Sequence, residues 1–232
     1  VADDPETTSI HEEGQYEFTQ VVPGPHSVRL HTDASTAASV VEFGEKQTLG
    51  LGNDPHQTIA ADVDGDGDKD LIAAIFADNS PDFVVRYNDG SGSFSVAANG
   101  ESYLRARFVA TSDMDGDGDL DLVTSKRGNG VVLWKNDGTG SFSRYQDVVF
   151  GSYTHEISIA DFNGDGKSDV VVVDAPDRGT NRLFVMFNDG TGNVGSPDSY
   201  VVSSGVAAAV ENGDLDGDGD LDLILRNNGD DE

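Results

Sequence analysis

Asp62-Val63-Asp64-Gly65-Asp66-Gly67-Asp68-Lys69-Asp70 decides how this chain is read, because the chain writes it four times. It returns as Asp113 to Asp121, as Asp161 to Asp169 with Asn163 and Lys167 as variants, and as Asp214 to Asp222. Successive starts lie 51, 48 and 53 residues apart, and self-similarity at such a period marks a repeat architecture. Crowding up to five carboxylates into nine residues is electrostatically costly, so a cation is expected among them. One acidic run could be a solvated turn, a reading that four copies in one register argue against.

The donor pattern narrows the cation. Oxygen-bearing side chains at positions 1, 3 and 5, a seventh residue able to offer its carbonyl, and a carboxylate at position 9 suit a hard ion with six to eight oxygen ligands. That is calcium more readily than magnesium. With no Cys in the chain and no His inside any loop, zinc and copper lack their favoured ligands. Gly at positions 4 and 6 lets the backbone curl without a Cβ penalty. An EF-hand loop begins alike but puts its last acidic ligand at position 12, where this chain has Ala73, Thr124, Val172 and Leu225. The acidic runs pass instead into Leu71-Ile72-Ala73, Leu122-Val123, Val170 to Val173 and Leu223-Ile224-Leu225, which read as buried strands.

On these residues the chain resembles the calcium-binding FG-GAP/VCBS repeats of integrin-α-like β-propellers, whose loop reads D-x-D/N-G-D-G-x-x-D. The four matches fall within residues 51–232. The resemblance implies an all-β β-propeller of four blades of ~50 residues each, either a fragment of a larger propeller or a small four-bladed ring. It also implies about four calcium ions, one per loop. By it the side chains of Asp62, Asp64, Asp66 and Asp70 and the carbonyl of Asp68 hold the first. Asp113, Asp115, Asp117, Asp121 and the Asp119 carbonyl hold the second. Asp161, Asn163, Asp165, Asp169 and the Lys167 carbonyl hold the third, with one fewer anionic ligand and so the weakest grip. Asp214, Asp216, Asp218, Asp222 and the Asp220 carbonyl hold the fourth.

Net charge over 232 residues is −29, and 33 of the 43 acidic residues are Asp. That fits both calcium loops and a high-salt surface, and with no basic stripe it makes the chain a poor nucleic-acid or anionic-membrane binder. Without cysteine there are no disulfides, so an extracellular, secreted or cell-surface location is argued from calcium. Extracellular modules often bind it at only about 10⁻⁴–10⁻³ M. No apolar run is long enough to span a membrane and no signal peptide is evident. The start at Val1 reads as a mature or excised piece of a longer protein.

Residues 1–33 differ from the rest. Their G-x-Y-x-F-x-x-V-x-P-G pattern resembles the closing strands of Cna-B and carboxypeptidase-regulatory-like β-sandwiches; the alternative is an ordinary hairpin. Residues 34–50 are a linker or ring-closing strands, and 51–232 carry the repeats. In the first repeat the expected strands are 56–61, 70–76, 83–88 and 93–97, with Asn88-Asp89-Gly90 as a hairpin that recurs at Asn136 and Asn188. The fourth repeat shows two of its four strands, so an unpaired edge could accept a strand from a neighbour.

In an up-and-down sheet the acidic loops and the Asn-Asp-Gly hairpins share one end, a repeated scaffold. The other end carries what varies, and variable loops on a rigid frame are where binding usually lives. There, six residues before each acidic loop, stand His56, Arg107, His155 and Ala208, either a hydrated rim or a ring able to contact a sugar or carboxylate. Tyr87, Trp134 and Phe187 are expected to pack between sheets rather than stack on a ligand. With no Gly-x-Ser-x-Gly or His-Glu-x-x-His setting among its five histidines, the chain is expected to be a non-catalytic binding or adhesion module for a carbohydrate or extracellular protein. The alternatives are a domain of a polysaccharide-degrading enzyme, and a spacer or filament subunit.

Overall fold

A computed structural model describes residues 27–30, 39–42, 49–100, 104–151, 153–175, 180–203 and 207–227. The chain divides into two compact units, Val1–Leu49 and Gly50–Glu232. In the first, β1 (Ser27–Leu30) pairs antiparallel with β2 (Ser39–Glu42), Ser27 opposite Glu42. The remainder of residues 1–33, with its resemblance to a β-sandwich, lies outside the described residues, as does most of 34–50.

The second unit is all-β, with no helix among the described residues. Its first sheet runs β3 (Pro55–Ala61), β4 (Asp70–Ile75), β5 (Phe83–Asn88), β6 (Phe94–Asn99). The second runs β7 (Val109–Ser112), β8 (Asp121–Ser125), β9 (Val131–Asn136), β10 (Phe142–Val148). The third runs β11 (Thr154–Ala160), β12 (Asp169–Asp174), β13 (Asn181–Met186), β14 (Asp198–Ser203). A fourth, two-stranded sheet joins β15 (Ala207–Gly213) to β16 (Asp222–Asn227). Strands neighbour one another in chain order and every pairing is antiparallel.

Residue pattern explains why the second and third strands sit inside. Asp169-Val170-Val171-Val172-Val173-Asp174 is buried throughout, and β-branched side chains, stiff at χ1, suit a pleated strand. Because successive side chains point to opposite faces, one strand serves two cores. Val170 and Val172 pack with Val123, Val131, Leu133, Phe184 and Met186, whereas Val171 and Val173 pack with Leu183, Val185 and Val210. Between the first two sheets Ile72, Ala74, Phe83 and Val85 meet Leu122, Val132 and Trp134. Burying each such side chain contributes about 1.5–3 kcal/mol. Phe83 and Trp134 add an edge-to-face contact, centroids 5.1 Å apart at 78°, and the Trp134 indole N–H donates to Thr124 Oγ1 at 2.8 Å. The first strands of successive sheets, β3, β7, β11 and β15, lie side by side.

Each acidic stretch is the turn from first to second strand. The residue before the turn pairs in register with the carboxylate that ends it: Ala61 with Asp70, Ser112 with Asp121, Ala160 with Asp169, Gly213 with Asp222.

Candidate metal-binding loops and the opposite end of the sheets

Each loop is folded by its own carboxylates. Asp62 accepts from the Gly65 and Gly67 N–H groups at 2.9 and 3.0 Å, Asp64 from Asp66 at 3.3 Å, and Asp66 from Asp68 at 2.9 Å. The second loop repeats this on Asp113, Asp115 and Asp117, the third on Asp161, Asn163 and Asp165, the fourth on Asp214, Asp216 and Asp218. The two glycines that donate stand at positive φ, +75° and +95° for Gly65 and Gly67. At positions 3 and 5 these bonds use Oδ1; the aspartates keep Oδ2 for another partner, taken at Asp115 by Lys135, whereas Asn163 carries an amide nitrogen there. Carboxylate oxygens of Asp62, Asp64 and Asp66 lie within 4.8 Å of one another, as do those of Asp113, Asp115 and Asp121, and of Asp214, Asp216 and Asp218. An all-oxygen donor set of this kind suits a hard divalent cation.

The residue at position 7 lays its side chain over the hairpin of its own sheet. A Cβ built on Gly138 (φ +82°) would stand 2.6 Å from Asp119 Oδ2, and one on Gly190 (φ +84°) would stand 2.7 Å from the Lys167 side chain. In the fourth loop the Asp220 N–H donates to Asp218, as its counterparts do to theirs.

Position 9 holds the loop to its sheet. Asp70 accepts the Val63 N–H through one oxygen (3.0 Å) and the Asn88 N–H through the other (2.9 Å), tying the loop to the third strand. Asp121 does the same for Met114 and Asn136, and Asp169 for Phe162 and Asn188. All three are buried; Asp222 accepts from Leu215 alone among the described residues. Burial, reinforced by neighbouring carboxylates, raises the pKa of Asp121, Asp169 and Asp64 above the ordinary range, as expected where like charges crowd. Asp161 moves the other way, held down chiefly by the Gly166 N–H.

The hairpin asparagines were legible only as turn formers. In the structure they lock sheet to sheet: the Asn136 amide donates to the carbonyls of Val63 (2.8 Å) and Leu120 (3.0 Å), and Asn188 to those of Met114 (2.7 Å) and Ser168 (3.0 Å). Their Oδ1 atoms accept within the hairpin, Asn136 from Gly138 and Gly140. The signal was the recurrence of Asn-Asp-Gly at Asn88, Asn136 and Asn188, once in each of the first three repeats. Tyr87 also reaches the next hairpin, donating to the Thr139 carbonyl at 3.2 Å. Trp134 is in the core, while Phe187 is partly exposed.

Two lysines enter the loops. The Lys135 ammonium pairs with Asp115 and stands 3.3 Å from Asp117, and these partners raise its pKa. It takes the place occupied by Tyr87 and Phe187 in the other repeats. Lys167 donates to the Asp189 carbonyl at 3.0 Å and stands 3.7 Å from Asp165.

At the opposite strand ends, His56, Arg107 and His155 come together through two aromatic rings. The Arg107 guanidinium carbon is 4.1 Å from the Phe76 centroid and 5.4 Å from that of Tyr153. His56 meets Phe76 edge-on at 5.1 Å and His155 meets Tyr153 at 5.7 Å. Asp54 lies 3.8 Å from His56, and Asp78 pairs with Arg105. The side chain of Ala208 lies outside what is described.

The model of the FG-GAP-like repeat matches three overlapping stretches, residues 62–124, 113–172 and 161–225. Each opens on the first aspartate of one loop and closes in the strand that follows the next. No curated protein matches the chain. Among solved structures it is similar to an Agrocybe aegerita lectin, described as recognising non-reducing terminal N-acetylglucosamine, with a TM-score of 0.50 and 23% identity over 86% of this chain and 60% of that one. It is also similar to the Photorhabdus luminescens Tc holotoxin pore (TM-score 0.45, 23% identity, 72% of this chain and 8% of that one). A third is the V. cholerae biofilm matrix protein Bap1 (0.41, 18%, 75% and 29%). The chain thus spans less than two thirds of each of these proteins, and the likeness to the lectin is one of fold.

Proposed function

The chain belongs to the FG-GAP-like repeat family, and from that premise we propose that it is a calcium-stabilised, non-catalytic binding or adhesion module of a secreted or cell-surface protein. In this reading the sheets are blades of a β-propeller, their first strands around its axis. Support comes from the meander order of each sheet and the side-by-side first strands.

The observation that carries the proposal is the recurrence of clustered carboxylates in first-to-second turns of one geometry. Calcium would be held by positions 1, 3, 5 and 9 and the position 7 carbonyl of each loop, and would supply charge neutralisation there. The residues fit it: the donors are oxygen, the Oδ2 atoms of the aspartates at positions 3 and 5 accept none of the backbone bonds, Asn163 offers its Oδ1 alone, and position 7 has its side chain elsewhere. Ligand recognition then falls to the opposite end, where His56, Arg107 and His155 gather. A saccharide is the favoured ligand, supported by similarity in fold to a lectin; an extracellular protein is the other.

The experiment is a glycan array and a surface-protein capture assay, with the full chain in millimolar calcium and again in chelator. Binding in calcium that is lost in chelator is expected. Silence on both supports, or turnover of a bound polysaccharide, would contradict a non-catalytic binding role.

A further inference from the structure

We propose that Arg107 is the anchor for the carboxylate of an acidic saccharide, at a site formed with Tyr153, His56 and His155. This rests on reading the chain as a binding module and assigns the chemistry of its ligand.

Arg107 has no anion among the described residues. Several other cationic side chains have one, Arg105 in Asp78, Arg144 and Lys126 in Asp147, Lys135 in Asp115, while Arg86 donates to the Gly50 carbonyl and Arg182 to Ser199 Oγ. No carboxylate among the described residues pairs with Arg107, and its Nε, like those of Arg86 and Arg105, is buried without a hydrogen-bond partner. A buried unsatisfied donor calls for an explanation, the more so with 43 acidic residues in the chain. Its contacts are instead the faces of Phe76 and Tyr153. Such contacts fix the guanidinium plane while leaving its hydrogen-bonding edge unused, and that planar fork matches a carboxylate in two-point contact.

The backbone around Arg107 is held in uncommon conformations. Among the described residues three non-glycine residues have positive φ, Asp54 (53°), Asn79 (55°) and Arg105 (53°), and all three flank this end of the first two sheets. Register irregularities fall there too, between Pro55 and Thr58 on β3 and between Thr154 and Glu156 on β11. On β11 the extra residue is His155. Bulges re-aim side chains and gather beside functional sites, and strained backbone persists where the surroundings enforce it. Arg107 is set by an equivalent device: its own N–H and that of Phe108 both donate to Ser125 Oγ, at 2.8 and 3.0 Å.

Charge around the site selects the ligand class. Carboxylates nearby are engaged: Asp78 with Arg105, Asp174 as acceptor of the Tyr153 N–H, Asp82 as acceptor of the Leu104 and Arg105 N–H groups, Asp54 beside His56. With a chain charge of −29, attraction for an anion acts at short range, since screening sets in over about 8 Å at physiological salt. A dispersed polyanion would meet repulsion, whereas a single carboxylate on a neutral hydroxylated ring would not. The imidazoles and the Tyr153 ring beside the guanidinium supply what such a ring needs, polar atoms for hydroxyls and an apolar face for C–H groups.

The test uses the full chain in calcium on an array of hexuronate and sialate saccharides, each beside its methyl ester, with an oligoglutamate peptide as a further probe. The proposal expects at least one free acid to bind tenfold or more tightly than its ester. Arg107→Ala and Arg107→Lys should each lose tenfold or more of that binding, while Tm and calcium affinity stay as in the parent. His155→Gln, which keeps the guanidinium, should weaken binding without abolishing preference for the acid over the ester. Equal binding of acid and ester, unchanged binding in Arg107→Lys, or tighter binding of oligoglutamate would overturn the assignment and leave the binding-module reading intact. Failure of every saccharide and every protein to bind would remove both.

Discussion

The two ends of these sheets are built on opposite rules. At the loop end the same bonds recur repeat after repeat: position 1 folds the loop, position 9 ties it to the third strand, and a hairpin asparagine locks it to the sheet before. Charge there is concentrated and held by backbone N–H groups. At the far end a strand irregularity recurs on β3, β11 and β15, but the register it belongs to is filled by different residues, His56, Arg107, His155 and Ala208, and the contacts are ring on guanidinium and left-handed backbone. Repetition marks the scaffold and variation marks the surface free to specialise.

The comparison breaks most visibly if calcium is removed. An ion bound only to the folded chain at a hundred times its Kd contributes about 2.7 kcal/mol per site, so chelation should lower Tm by many degrees, whereas adding a far-end ligand shifts it only modestly. Next in size is Asn136→Ala, which strips donors from the Val63 and Leu120 carbonyls and acceptors from Gly138 and Gly140. Each buried group so stranded costs about 1–3 kcal/mol, so the loss should persist in chelator, whereas Arg107→Ala should leave the denaturation midpoint nearly unchanged.

A finer contrast lies within the loop end. In the second loop the Lys135 ammonium already stands against Asp115 and Asp117, so calcium must displace it. Lys135→Met should raise the affinity of that loop several-fold in a calorimetric titration and leave the first loop alone. The smallest expected effect is at Glu156, whose carboxyl is held above its ordinary 4.5 by burial and by Glu211. A raised carboxyl pKa stabilises the fold fully below the unfolded value and loses that contribution as pH climbs through the folded one. Glu156→Gln should therefore raise Tm slightly at pH 7 and not at pH 4.

Much of this was readable from the chain. The loops were legible because ligating a hard ion demands oxygen at set positions, and no tertiary contact is needed to see Asp62, Asp64 and Asp66. The strands were legible because Val170 to Val173 allow little else. Less visible was the double duty of Asp70, Asp121 and Asp169, since their second partner is supplied by a strand 15 to 19 residues further on. The asparagine locks reach across 73 and 74 residues, and no local pattern announces such a distance. Phe76 and Tyr153 were missed because what makes them matter is their placement on either side of one guanidinium.

The most direct measurement is a calorimetric calcium titration of the full chain, paired with native mass spectrometry to count bound ions. The account predicts saturable binding at up to four loops, strongest in the first and fourth, where no ammonium is paired with the loop carboxylates among the described residues and position 3 is aspartate, with Tm rising as the loops fill. A chain that takes up no calcium at millimolar concentration, and melts at one temperature with and without chelator, would contradict it.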